Sequence, residues 1–97
     1  MVKFGLLLRV VAKPGKEKAV EDFLKTALPL AQAESGTISW FAIKIDDSTF
    51  GIFDTFENEE SREAHLSGEI AKALMAHAPE LLAQDPIIEK VEVLSFK

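Results

Sequence analysis

Phe50-Gly51-Ile52-Phe53-Asp54-Thr55-Phe56-Glu57-Asn58-Glu59-Glu60-Ser61-Arg62-Glu63-Ala64-His65-Leu66 is the stretch on which the fold turns. Its first half, Phe50 to Phe56, is aromatic and β-forming and reads as a strand; after it the apolar period changes to that of a helix. Asn58 is placed as the helix N-cap, and Glu59 and Glu60 complement the positive end of the helix dipole. The unit carries a carboxylate on its strand, Asp54, and an imidazole on its helix, His65.

Immediately upstream, Thr37 to Ile45 is again rich in β-branched and aromatic residues, and Asp46-Asp47-Ser48-Thr49 has turn composition, so the two segments form a β-hairpin. A turn centred on Asp47-Ser48 predicts the pairs Ile45 with Phe50, Ile43 with Ile52, Phe41 with Asp54 and Trp40 with Thr55. One face then carries Phe41, Ile43, Ile45, Phe50, Ile52, Asp54 and Phe56, and the other Trp40, Ala42, Lys44, Gly51, Phe53 and Thr55.

Further out, Val2 to Ala12 reads as an opening strand ended by Lys13-Pro14-Gly15. Ala19, Val20, Phe23, Leu24, Ala27, Leu28 and Ala31 then recur at three and four residues and share one helix face. Pro29 predicts a kink or restart before Glu34-Ser35-Gly36 closes that segment. On the other side, the second helix continues through Ile70, Ala73 and Leu74 to around His77, where Pro79 is expected to interrupt it, and Ile87 to Phe96 forms a last strand after Asp85-Pro86. The order is β-α-β-β-α-β, an α+β fold of the ferredoxin-like kind: a four-stranded antiparallel sheet with both helices on one face.

Two helices cover one face only, yet the strands carry apolar residues on both: Leu6 and Leu8 oppose Leu7 and Val11, and Trp40 and Phe53 are placed opposite Phe41 and Ile52. A second copy of the sheet would cover the remaining face, which predicts a homodimer packed sheet to sheet.

The 97 residues read as one domain, 47% hydrophobic and 28% charged, with no apolar run near the ~20 residues needed to cross a bilayer. The short apolar N-terminus reads as a strand and not as a signal peptide, so the expected location is cytoplasmic, with no membrane partner. Without cysteine there is no disulfide, thiolate nucleophile or Cys-ligated metal. A net charge of -5, with Lys and Arg scattered singly, gives no basic stripe for nucleic acid. Glycine-rich phosphate loops are missing as well, so no nucleotide cofactor is indicated.

His65 exchanges a proton near neutral pH and lies at the edge of the Leu66 and Ile70 stripe, where it serves either as a general base or as a boundary histidine bonded to backbone. Asp54, on an apolar strand face, needs a partner or a raised pKa. It either orients the His65 ring or bonds the amides leading into the helix. Trp40, Phe41, Phe53 and Phe56 are candidates to line a flat pocket for an aromatic ligand, although aromatics at strand spacing also build cores. His77 reads as a partner of the helix C-terminal dipole. His65 and His77 are too far apart, ~18 Å along a helix, to share a metal ion.

Taken together, Ala12-Lys13-Pro14-Gly15-Lys16-Glu17 entering the first helix, Glu34-Ser35-Gly36-Thr37 entering the second strand, and Gly51-Ile52-Phe53-Asp54-Thr55-Phe56 with Ala64-His65-Leu66 resemble the antibiotic biosynthesis monooxygenase superfamily. Its members are dimeric α+β barrels and include quinol monooxygenases. The resemblance covers essentially the whole chain. It implies an enzyme that oxidises a small aromatic or quinol with dioxygen and no metal or flavin, with His65 as base or hydrogen-bond partner; a non-catalytic homodimer that binds a small hydrophobic ligand is the rival reading. The chain departs from the family pattern at Ser35, where many relatives have Pro, and at Phe56, where many have Trp. The Trp and His of heme-degrading relatives correspond here to His65 and Met75, which disfavours heme chemistry.

Overall fold

Residues 3–97 are described by a computed structural model. The chain runs through β1 (Phe4–Val11), α1 (Glu17–Thr26), α2 (Leu28–Gln32), β2 (Thr37–Lys44), β3 (Thr49–Phe56), α3 (Glu59–Leu66), α4 (Glu69–Leu81) and β4 (Ile87–Glu92). The strands form one antiparallel sheet in the order β2-β3-β1-β4. This is the ferredoxin-like arrangement expected from the sequence, with each helical layer broken into two segments. The expected first strand also included Val2, which lies outside the described residues.

Both breaks have local causes. In the first layer the chain restarts at Leu28, and Pro29 sits in the opening turn of α2, where its missing N–H costs nothing. In the second layer the break falls at Ser67-Gly68 and not at Pro79, which lies inside α4. Pro79 is tolerated because the helix end is tied to β1: the Lys13 amide donates to the Leu81 carbonyl at 2.8 Å and the Ala83 amide to the Val11 carbonyl at 2.8 Å. The last strand ends at Glu92, short of the expected Phe96.

The hairpin register differs from expectation by one residue. Lys44 pairs with Phe50, Ala42 with Ile52, Phe41 with Phe53 and Trp40 with Asp54. The turn chemistry explains the slip: the Asp46 carboxylate accepts from the Ser48 and Thr49 amides at 3.0 and 2.8 Å, and the Ile45 and Asp46 amides share the Thr49 carbonyl. The loop is longer by one residue than the two-residue turn assumed, and the β2 side chains from Ser39 to Lys44 change face, while a register shift between Thr37 and Ser39 leaves Thr37 opposite Phe56. Trp40, not Phe41, therefore shares the Asp54 face.

Leu6, Leu8 and Val10 of β1 pair with Asp54, Ile52 and Phe50 and point toward the helices. There Leu8, Val10, Phe50 and Ile52 are buried with Val20 and Leu24 of α1 and Leu74 of α4. Of the expected α1–α2 stripe, Val20, Leu24, Ala27 and Ala31 are buried, while Leu28 is 43% exposed. The opposite sheet face carries Leu7, Arg9 and Val11 with Phe41, Ile43, Phe53 and Ile87. Phe41 is 56% exposed on that face.

Candidate active site

His65 stands in the last turn of α3, whose start is set by Asn58: its side chain accepts from the Ser61 amide at 2.8 Å. The ring is buried and rests on Phe56, with centroids 5.2 Å apart. Asp54, two residues before Phe56 on the same face of β3, approaches one edge: its Oδ2 lies 3.0 Å from His65 Nε2. Glu34 meets the other edge from the turn after α2, with Oε1 2.6 Å from Nδ1. The Thr37 hydroxyl donates to the same Glu34 oxygen at 2.7 Å. An imidazole is thus held between two carboxylates from different layers of the fold.

Glycines bring those layers together. A Cβ on Gly36 would overlap the Ser61 side chain, so the turn carrying Glu34 packs against α3 only because residue 36 has no side chain. A Cβ on Gly68 would stand 3.2 Å from Glu34 Oε2, so the α3–α4 break leaves room for that carboxylate.

Asp54 is 1% exposed, and neither of its oxygens has a well-directed hydrogen-bond donor. The Nε2–Oδ2 contact is short but poorly aligned, so it counts as an electrostatic contact and not as a bond that satisfies the carboxylate. Burial raises the Asp54 carboxyl above its usual range, against the opposing pull of His65. Burial by itself would disfavour the charged imidazole, but the Asp54 and Glu34 carboxylates outweigh it and hold the His65 pKa above its ordinary value. The C-terminal position in α3 acts in the same direction, since the helix dipole favours a cation there. Both shifts favour retaining a proton at the Asp54–His65 contact.

Asp54 and His65 face an apolar cavity of ≈ 40 Å³ walled by Leu6, Leu8, Ile52, Leu66, Leu74 and Ile88. On its Glu34 side, His65 lines an open polar cleft of ≈ 520 Å³ with Ser61, Ser67 and Lys72. The ring is a partition between the two. A groove of ≈ 280 Å³ between α1 and β2, lined by Leu24, Ala42 and Phe50, lies away from it.

The sheet separates the four expected pocket aromatics. Phe56 packs on His65, and Trp40 lies on the Asp54 side with a buried, unpartnered Nε1. Phe41 and Phe53 are paired on the opposite face and line neither cavity. His77 is internal to α4, its ring edge-on to Phe23 at 5.6 Å, and so is not at the helix end where the dipole reading placed it. Met75 is 57% exposed and lines neither cavity that His65 lines. Glu34 escaped sequence reading because Glu-Ser-Gly is ordinary turn composition, and only folding brings it to a ring 31 residues away. Among the described residues no group of three ligating side chains converges on a metal position, because the two carboxylates occupy opposite ring edges.

No protein-family model matches the chain, and no curated protein does. Solved structures do match. A Nitrosomonas europaea protein of unknown function is 59% identical, over 100% of this chain and 94% of that one, with a TM-score of 0.98. A candidate antibiotic biosynthesis monooxygenase from the same organism superposes with a TM-score of 0.83 at 12% identity, over 95% of this chain and 90% of that one. Another from Caulobacter crescentus gives 0.80 at 16% identity, over 97% and 92%. At those identities the likeness is one of fold.

Proposed function

We propose that this chain, which belongs to the family of the Nitrosomonas europaea protein of unknown function and has the fold of antibiotic biosynthesis monooxygenases, is a cofactor-independent monooxygenase-like enzyme acting on a small aromatic or quinol. The observation that carries this reading is the buried Asp54 carboxylate, unsatisfied beside His65 and aimed at an apolar cavity. A ligand hydroxyl would supply the missing donor. Asp54 and His65 would take its proton, and the electron-rich anion would then reduce dioxygen, one oxygen atom entering the product and the other leaving as water. All four electrons come from the substrate, so the balance needs no external reductant.

A cavity of ≈ 40 Å³ holds a few waters, below the ~300 Å³ or more of typical ligand sites, so a ring enters by widening the seam between β4 and α4. Ile88 at that seam is 48% exposed and is the side chain to displace. The apolar outer face, with Phe41 56% and Ile87 47% exposed, supports a sheet-to-sheet homodimer.

Oxygen uptake with a panel of hydroquinones tests the enzyme reading. Uptake above autoxidation is expected with the wild type and not with His65→Ala. No uptake, together with saturable binding of the same hydroquinones, would favour a non-catalytic homodimer that binds a small hydrophobic ligand.

A further inference from the structure

We propose that Glu34 is the outlet of a proton relay that runs from the buried Asp54, through the His65 ring, to the polar cleft. The inference builds on the reading of Asp54 and His65 as a proton-accepting pair and extends it to a positioning residue that the sequence did not disclose.

The direction follows from the donors. Glu34 Oε1 already accepts from the Thr37 hydroxyl at 2.7 Å and stands 2.6 Å from His65 Nδ1, so Nδ1 must carry the hydrogen in that contact. The neutral ring therefore turns its bare Nε2 toward Asp54 Oδ2, 3.0 Å away. Two acceptors at that distance repel unless a proton lies between them, which makes the Asp54–Nε2 contact a receptive position. The other end is open: Glu34 lines the ≈ 520 Å³ cleft, whereas Asp54 is 1% exposed. The charged groups facing the ring are Asp54 from β3 and Glu34 from the α2–β2 turn; Glu69 and Lys72 of α4 line the same cleft.

Starting from the neutral ring, a ligand hydroxyl gives its proton to Asp54 and on to Nε2, while Nδ1 gives its own to Glu34 and thence to cleft water. One proton enters at Asp54 and one leaves at Glu34. No electrons move, Asp54 ends ionised as it began, and the ligand is left as its anion. The ring finishes with its proton on Nε2; it resets when Nδ1 regains a proton from the cleft through Glu34 and Nε2 returns its own through Asp54 to the oxygen that leaves as water. A ligand seated in the apolar cavity can thus lose a proton to the cleft side of the ring.

The test is made on the ligand-free protein by nitrogen-15 NMR of the histidine rings, with thermal melts to confirm folding. At a pH above the raised pKa of His65, where the ring is neutral, the wild type should show its Nδ1–H form. Glu34→Gln, which keeps an acceptor but not a base, should slow exchange of the ring proton with water by about tenfold or more, and added acetate or imidazole should restore it through the cleft. A bare Nδ1 in the wild type, an unchanged exchange rate in Glu34→Gln, or a slowed rate that ignores added buffer would each overturn the relay. If Glu34→Gln does not fold, Thr37→Val serves: freeing Oε1 of its second donor should shift the Nδ1 proton downfield, and an unchanged resonance counts against the relay. Because no turnover is read, failure of oxygen uptake sinks the monooxygenase reading alone, whereas unchanged exchange with uptake intact removes Glu34 alone.

Discussion

Replacing Asp54 with Asn keeps the shape of a buried side chain and removes its charge, so the pH dependence of stability isolates what the pair with His65 does. At 3.0 Å the opposite charges attract by on the order of 5 kcal/mol at an effective dielectric of about 20, while taking a carboxylate out of water costs several kcal/mol. The two nearly cancel, and the remainder depends on whether His65 is protonated. The folded-state pKa of His65 is raised, so its contribution is fully present below the unfolded value of about 6.5 and is lost as pH rises through the folded value, at no more than about 1.4 kcal/mol per pH unit. Asp54 is also raised, so its own contribution is fully present below its unfolded value of about 3.9 and is lost as pH rises through the folded value; near neutrality its buried charge is a cost that the imidazolium offsets. Asp54→Asn should therefore be less stable than wild type near pH 6 by about 1–2 kcal/mol, and the deficit should shrink or reverse near pH 9. Urea unfolding followed through Trp40, the one tryptophan, measures this at each pH. Parallel stability curves for the two proteins from about pH 6 to about pH 9 would refute the coupling.

Other consequences can be checked separately. Gly36→Ala places a Cβ 2.5 Å from Ser61 Cβ and should destabilise by about 1–3 kcal/mol in urea, with Ser61→Gly in the same chain restoring most of the loss. Asp46→Ala removes the acceptor for two turn amides and should cost about 1 kcal/mol, with faster amide exchange along β2; unchanged exchange would mean that the turn does not hold the register. Phe41→Glu puts a charge on the exposed outer face and should turn the proposed dimer into a monomer in sedimentation, a claim that fails at once if the wild type is already monomeric at micromolar concentration.

Much of this architecture is written in local signals. Period-two apolar strands, the three-and-four spacing of Val20, Leu24 and Ala27, the Asn58 cap and the Pro-Gly turn each act within a few residues, and together they set the element order and the antiparallel sheet. Two local signals misled for reasons of context. Pro79 forfeits only one hydrogen bond near a helix end that β1 anchors, and the Asp46 carboxylate lengthens a turn whose composition was equally compatible with a tighter one.

The candidate site divides along the same line. The sequence by itself singled out His65 and Asp54, because an imidazole at a helix edge and a carboxylate on an apolar strand are each unusual in their local pattern. It also indicated a sheet apolar on both faces, which alternation along single strands suffices to reveal. Only the tertiary structure decided that Trp40 and not Phe41 shares the Asp54 face, that Phe41 instead joins Phe53 across the sheet from the ring, and that Glu34 closes on Nδ1. The physical reason is range: a one-residue register is chosen by the whole hairpin and its turn, and the Glu34 contact exists only because Gly36 lets one loop settle against α3. No pattern within a window of neighbours carries that information.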